Sequence, residues 1–315
     1  MYNDEAFLQV KQEFEAYYNK KIKPELEKLE AVRKKYLKIF IFLCLMVSLW
    51  CGFLFTNFKN MMNLPDWIEL SSCIAVFVAC VPMLSYYMKT KSSMLHLFAN
   101  FFGKFLYNHD NMLSETVLNK SMIVDKHNIM QTEDGFSGVY KGVDVHLREY
   151  SLYEKQRVET SNYNDLSKIK NKKICRGIIF YAQMNKTFSG QTIIVKDSGI
   201  FNKFITYKNM KRVNLESVEF EKLFEVYSDD QIEARYILTT VMLEYLVELK
   251  NKFKSLSFSF FDNHVLINIK TNKNLFECNS FFTTLINKKR IYKTLEEMYI
   301  LFSIIETLKI NQDKN

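Results

Sequence analysis

Residues Ile39–Phe58, "IFIFLCLMVSLWCGFLFTNF", run for twenty residues without a charged side chain. A helix rises about 1.5 Å per residue, so this stretch reaches about 30 Å, the thickness of bilayer hydrocarbon. Leu70–Met88, "LSSCIAVFVACVPMLSYYM", supplies a second such run after a short connection. Pro82, near its end, is tolerated more readily in lipid than in a soluble helix. Buried core helices of a soluble protein are the alternative, but two uncharged runs this close together read as a transmembrane hairpin. A signal peptide fits badly, because the first run starts far from the N-terminus and a second follows. Trp50, Trp67, Tyr86 and Tyr87 are the candidate interfacial anchors.

Charge sets the expected orientation. Lys20, Lys21, Lys23, Lys28, Arg33, Lys34, Lys35 and Lys38 precede the first span, against Glu25, Glu27 and Glu30, so +5 of the chain's net +8 sits in this one segment. A basic block abutting an apolar run is an orientation signal and a collar for anionic headgroups before it is a nucleic-acid footprint. The segment Lys59–Glu69 carries one lysine, one aspartate and one glutamate, whereas Lys89, Lys91 and Lys104 follow the second span. The positive-inside rule then places both termini in the cytoplasm. The expected division is 1–38, an amphipathic basic helical segment; 39–88, the hairpin; and 89–315, a cytoplasmic domain.

Before the first span, Phe7, Val10, Phe14, Tyr17, Ile22, Leu26, Leu29 and Tyr36 recur at helical spacing and predict a stripe that could pack on a partner helix, on lipid headgroups or, the favoured reading, on the chain's own domain. Pro24 marks a place where a second helix could start. Beyond the spans, Leu95–Leu106 predicts a surface-lying helix. "VYKGVDVHLREYSLYE" predicts strands around Val143–Tyr150, and Ile178–Gln183 and Gln191–Val195 two more. The lysine-rich stretch 159–173 between these units reads as a solvated loop. "SLSFSFFDNHVLINIK" predicts a hairpin turning at Asp262 and Asn263, and Arg290–Lys309 a closing helix. Strands followed by helices without βαβ alternation make the domain α+β, with antiparallel hairpins and long C-terminal helices.

"YSDDQIEARYIL", Tyr227–Leu238, looks most like chemistry. Ser228 and Gln231 fit the S-x-x-Q capping box, and Asp229 and Asp230 suit the first turn of a helix. Ile232, Tyr236, Val241 and Leu243 then form the expected apolar face. Glu233 and Arg235, two residues apart, cannot share a face. A carboxylate cluster holding a divalent cation would need ligands that the sequence does not indicate.

The longer stretch "FEVYSDDQIEARYIL" resembles the signature of an uncharacterised bacterial family of two-span membrane proteins, domain of unknown function 3137. Phe224, Val226, Tyr227, Ser228, Asp230, Gln231, Glu233, Ala234, Arg235, Tyr236, Ile237, Leu238 and Thr239 fit its pattern. Thr240 stands where the family has proline, which puts the helix break expected there in question. "NKTFSGQTIIVKD" matches a second family segment through Asn185, Lys186, Phe188, Gly190, Thr192 and Asp197, and Leu275–Glu277 a third. The resemblance implies a bacterial inner-membrane protein and carries no established catalytic residues. It also points to a LemA-type membrane protein as a partner.

Phosphate-binding, dinucleotide, zincin and nucleophile-elbow motifs are missing from the sequence. Cys44, Cys51, Cys73 and Cys80 lie in the apolar runs as small hydrophobes, and Cys175 and Cys278 stand apart, so neither a metal nor a cofactor is implied. The expectation is a membrane-anchored protein- or lipid-interaction module rather than an enzyme. Asp230, Glu233, Arg235, Asn185, Lys186 and Gly190 are its candidate contact surface. The competing expectation is a membrane-bound hydrolase, which would bring Asp230, Glu233 and His146 or His264 into one cleft.

Overall fold

The computed structural model describes residues 4–57, 66–107, 113–158, 168–197, 207, 209–253, 255–272 and 280–310. The chain is α+β, with long apolar helices toward its N-terminus and a mixed helix and antiparallel-sheet region after them. It divides into two compact units. One comprises Val10–Phe101 and Phe276–Thr294, and the other Met1–Gln9, Phe102–Leu275 and Leu295–Asn315.

The helical unit holds α1 (Asp4–Tyr17, from Val10), a π-helical turn at Tyr18–Ile22, α2 (Lys23–Asn57) and α3 (Asp66–Phe102, to Phe101). α2 starts at Lys23, one residue before Pro24, where the sequence suggested that a second helix could begin. The helical run continues through Pro24, and the backbone widens just before it, with the Lys23 N–H reaching back to Tyr18 O. Proline cannot donate to the previous turn, and its ring crowds the carbonyl there, so a π turn relieves the strain.

The predicted N-terminal stripe is largely inward. Phe14, Ile22 and Leu26 are fully buried. The Phe14 ring packs 6.2 Å from Phe98, 5.0 Å from Phe101 and 5.6 Å from Tyr292. Within this unit the helix therefore packs on its own chain.

Arg33 departs from the expected collar. It is buried, donating through Nε and Nη2 to both Glu30 carboxylate oxygens at 2.9 and 2.7 Å and through Nη1 to Phe281 O at 2.8 Å. Glu30 also accepts the Leu285 amide at 3.0 Å, so the pair clamps the 281–285 segment. The other seven collar residues, Lys20, Lys21, Lys23, Lys28, Lys34, Lys35 and Lys38, are exposed.

Two helices among the described residues are long and apolar enough to cross a membrane. Their large apolar side chains point outward: Phe42, Leu45, Leu49 and Phe53 on α2, and Leu70, Ile74 and Phe77 on α3, are each more than half exposed. Trp50 Nε1 donates to Ser72 Oγ at 3.4 Å between the two. α3 continues to Phe102, so Leu95–Phe102 extends the second apolar helix and is not a separate surface helix.

The second unit is built on one nine-stranded antiparallel sheet. In chain order it contains β1 (Lys104–Tyr107), α4 (Glu115–Ser121), β2 (Ile129–Tyr140), β3 (Val143–Val158), β4 (Lys168–Gln183), β5 (Thr192–Lys196), β6 (Lys211–Val213), α5 (Val218–Glu221), β7 (Phe224–Ser228), α6 (Gln231–Ile237), α7 (Thr240–Lys252), β8 (Leu256–Phe261), β9 (His264–Lys270) and, from Leu295, α8 (Lys288–Ile310). The spatial order is β1-β2-β3-β4-β9-β8-β5-β7-β6.

β4 and β5, consecutive in the chain, are separated in the sheet by the β8–β9 hairpin. Lys168–Lys173, read as loop, belongs to β4. The β2–β3 turn uses Lys141 and Gly142, both at positive φ, and the β8–β9 turn uses Asp262 at φ 50°, the backbone that tight hairpins require. One sheet face carries Phe180 and meets Phe302 of α8, which also packs on Phe105 and Tyr140. Tyr245 Oη ties α7 to α8 at Ile300 O, 2.6 Å. The opposite face carries Ile179, Tyr181 and Leu266 against Leu118 and Ile123. This is the period-two alternation of a sheet covered on both sides.

Candidate functional site

The stretch that looks most like chemistry spans the end of β7 and the start of α6. Ser228 is the last residue of β7, paired with Thr192 of β5. It is too far back to cap the helix, and the expected Ser228–Gln231 capping box does not form. Asp230 is the N-cap, with Oδ1 accepting from the amides of Ile232 at 2.9 Å and Glu233 at 3.0 Å. Gln231 reaches away to Lys211 O, 3.3 Å from its Nε2. β7 runs through Ser228, where the sequence placed the cap, so the cap moves two residues on to Asp230.

Ser228 is buried and works within the corner. Its Oγ lies 3.0 Å from Gln191 O and 2.8 Å from Asp230 O, accepts the Asp230 amide at 3.1 Å, and meets Thr192 Oγ at 3.0 Å. The loop after β4 closes on the same corner. Asp229 Oδ1 accepts the Gln191 amide at 2.6 Å, and the Asp229 amide returns to Gln191 O at 3.3 Å. Ser189 Oγ donates to Asp230 Oδ2 at 2.9 Å.

Lys186 Nζ lies 3.6 Å from Glu233 Oε1 and 4.3 Å from the Tyr236 ring centre. Phe188 is buried against Phe260, and its amide donates to Asp262 O. Four of the six candidate contact residues, Asp230, Glu233, Lys186 and Gly190, therefore meet at one corner. Arg235 is exposed and donates to Gln231 O within its own helix, 2.9 Å, and Asn185 is exposed on the loop.

The electrostatics of the corner follow from these bonds. The Glu233 amide, then the Ser189 hydroxyl and the Ile232 amide, hold the Asp230 carboxyl below the usual carboxylate range. It is an ionised cap rather than a proton donor near neutrality. Of the expected apolar face Leu243 is buried, and the other three residues are not. Ile232 is 83% exposed and Val241 58%, while Tyr236 is also exposed. Ala234, Ile237, Leu238, Met242 and Leu246 face inward instead.

The histidines belong to another neighbourhood. His264 Nδ1 meets Tyr181 Oη at 2.9 Å, and the His146 ring lies 5.6 Å from the Tyr181 ring. Burial lowers the pKa of both imidazoles. Burial, reinforced by Asp125, pushes the Cys175 thiol up to about 11, the opposite of an activated nucleophile. The histidines share no hydrogen-bond partner with Asp230 or Glu233 among the described residues. The Tyr181 contact had no signal in the sequence, because β4–β9 pairing joins residues 83 apart.

Residues 173–310 match the model of the family described as Protein of unknown function (DUF3137). The matched span contains the loop and the β7–α6 corner in full, so both motif segments that suggested this family lie within it and touch each other. Leu275–Glu277, the third segment, falls outside the described residues. The crystal structure of the mycobacterial trehalose monomycolate transport factor A, TtfA, is similar over 68% of this chain and 94% of its own, at 10% sequence identity and a TM-score of 0.34. No curated protein matches the chain.

Proposed function

We propose that this protein is a membrane-anchored interaction module whose contact surface is the α6 corner. The observation that carries this reading is a division of labour there. Asp229, Asp230 and Glu233 are engaged inside the corner, while Ile232, Tyr236 and Arg235 face outward from a single short helix. An exposed isoleucine and tyrosine beside an arginine suit a protein interface, where aromatic and arginine anchors carry most of the binding energy. A hydrolytic site would instead hold its ionisable groups together in a cleft.

Anchoring is supported by the inverted polarity of α2 and α3. Side chains that a soluble core would bury point outward along both helices, which lipid tolerates and water penalises. In this reading both termini are cytoplasmic, seven exposed lysines form the headgroup collar, and the partner is a membrane protein of the LemA type. Confinement to the bilayer would convert weak contacts into avid ones.

The test is quantitative cross-linking capture from gently solubilised native membranes, using wild type, Arg235→Ala and Ile232→Ser, each checked for folding by limited proteolysis. Both substitutions lie on the exposed side, so the expectation is intact fold with capture of one membrane partner reduced at least about tenfold, the size of one lost anchor. Equal capture by all three would remove the corner as a contact surface.

A further inference from the structure

Strands β3 and β4 pair further than the rest of the sheet accompanies them. The last β2 partner of β3 is Ile129, opposite Tyr153, and the last β9 partner of β4 is Lys270, opposite Gly177. Asn128 closes that end, its Oδ1 accepting the Lys155 amide at 2.9 Å. Beyond it Glu154–Val158 pair with Lys168–Lys172 as a two-stranded ribbon, with no third strand among the described residues.

This ribbon is strongly basic. Lys155, Arg157, Lys168, Lys170, Lys172 and neighbouring Lys173 stand against Glu154 alone, a net +5. Together with the N-terminal segment this exceeds the chain's net +8, so the remainder is slightly acidic. Lys155, Lys170, Lys172 and Lys173 are exposed, and no acid pairs with them among the described residues.

Two-stranded ribbons are marginal in water on their own. Alternate residues on one side of a strand stand about 6.6 Å apart, inside the ~8 Å screening length at physiological ionic strength. Lys170 and Lys172 therefore repel each other, and although Glu154 stands opposite Lys172, it offsets only one of the ribbon's basic residues. Lysine at strand edges also deters edge-to-edge pairing, but a single lysine suffices for that. The placement makes physical sense if an extended anionic surface meets the ribbon.

We propose that the β3–β4 ribbon binds anionic phospholipid headgroups. This rests on the membrane-anchored reading, because a chain held by α2 and α3 presents its lysines to headgroups at high effective concentration. The chemistry suits phosphate. Lysines act as flexible point charges for it, their attraction to an anionic leaflet accumulates residue by residue, and the exposed ribbon residues include no aromatic platform on which nucleic-acid bases could stack.

The experiment is hydrogen exchange on the full chain reconstituted in nanodiscs, either of phosphatidylcholine alone or with about one-third phosphatidylglycerol. Flotation with lipid is checked first, and a chain that does not float overturns the anchor and this proposal together. With flotation established, the expected result is ribbon amides exchanging about tenfold more slowly with phosphatidylglycerol present, the protection fading in high salt. The triple substitution Lys155→Gln, Lys170→Gln, Lys172→Gln should abolish that difference, whereas Lys34→Gln with Lys35→Gln should not. Identical exchange in both lipids overturns the ribbon proposal and leaves the anchor standing. Protection produced in phosphatidylcholine discs by inorganic phosphate or a single-stranded oligonucleotide, and not by phosphatidylglycerol, also overturns it.

Discussion

At Gly190 the backbone sits at φ +84°, and a Cβ there would stand 2.3 Å from Asp229 Oδ1 and 3.0 Å from the Asp230 Cβ. That oxygen accepts the Gln191 amide, so a side chain at 190 would collide with the group that closes the loop. Gly190→Ala should therefore destabilise the chain by about 2–3 kcal/mol, combining the left-handed penalty with the clash. In an Asp229→Ala background the added cost should fall to about 1–2 kcal/mol, chiefly the backbone part, with the close approach to the Asp230 Cβ remaining. Thermal unfolding of the detergent-solubilised protein reads this, and an unchanged midpoint for Gly190→Ala would refute the account. The sequence marked Gly190, Asp230 and Glu233 as belonging to motifs. It could not show that the motifs exist to hold each other, because the pairing of Thr192 with Ser228 that brings them together is non-local.

Helices α6 and α7 explain both a success and an error of the sequence reading. The chain breaks at Leu238, at φ −92° and ψ 59°, and Thr239 caps α7 by accepting the Met242 amide at 3.4 Å. An apolar face counted from Ile232 through Tyr236 to Val241 assumes one continuous helix. Across a break the angular phase resets, which is why those three residues are exposed and Ala234, Ile237 and Met242 are buried. The break itself was expected from the family pattern, and it persists although proline is missing. Thr240 is the first residue of α7, where proline is favoured because its absent N–H is not needed. Thr239, at φ −63° and ψ 163°, already has the extended backbone that proline demands of its predecessor. Thr240→Pro should thus be neutral or stabilising by up to about 1 kcal/mol. A clear drop in the unfolding midpoint would mean that α6 and α7 need the flexibility proline removes.

For the whole molecule, the apolar runs, the β8–β9 hairpin and the closing helix were legible because each is a local pattern. The order of the sheet was not, since its central pairing, β4 with β9, depends on contacts that no window of sequence contains. Orientation belongs to this largest scale, and it is charge that predicts it. Seven exposed lysines stand on the N-terminal side of the first apolar run, whereas Lys59–Glu69 holds one lysine and two acids. Carrying lysines across a bilayer is opposed far more than carrying a nearly neutral connection, so the short segment should cross and both ends should remain inside. Protease added to sealed inside-out vesicles should then digest the nine-stranded sheet unit after its local opening, and the same protease on right-side-out vesicles should leave it whole. Digestion of that unit in intact right-side-out vesicles would reverse the orientation. It would also place the basic ribbon and the α6 corner on the side away from any cytoplasmic partner.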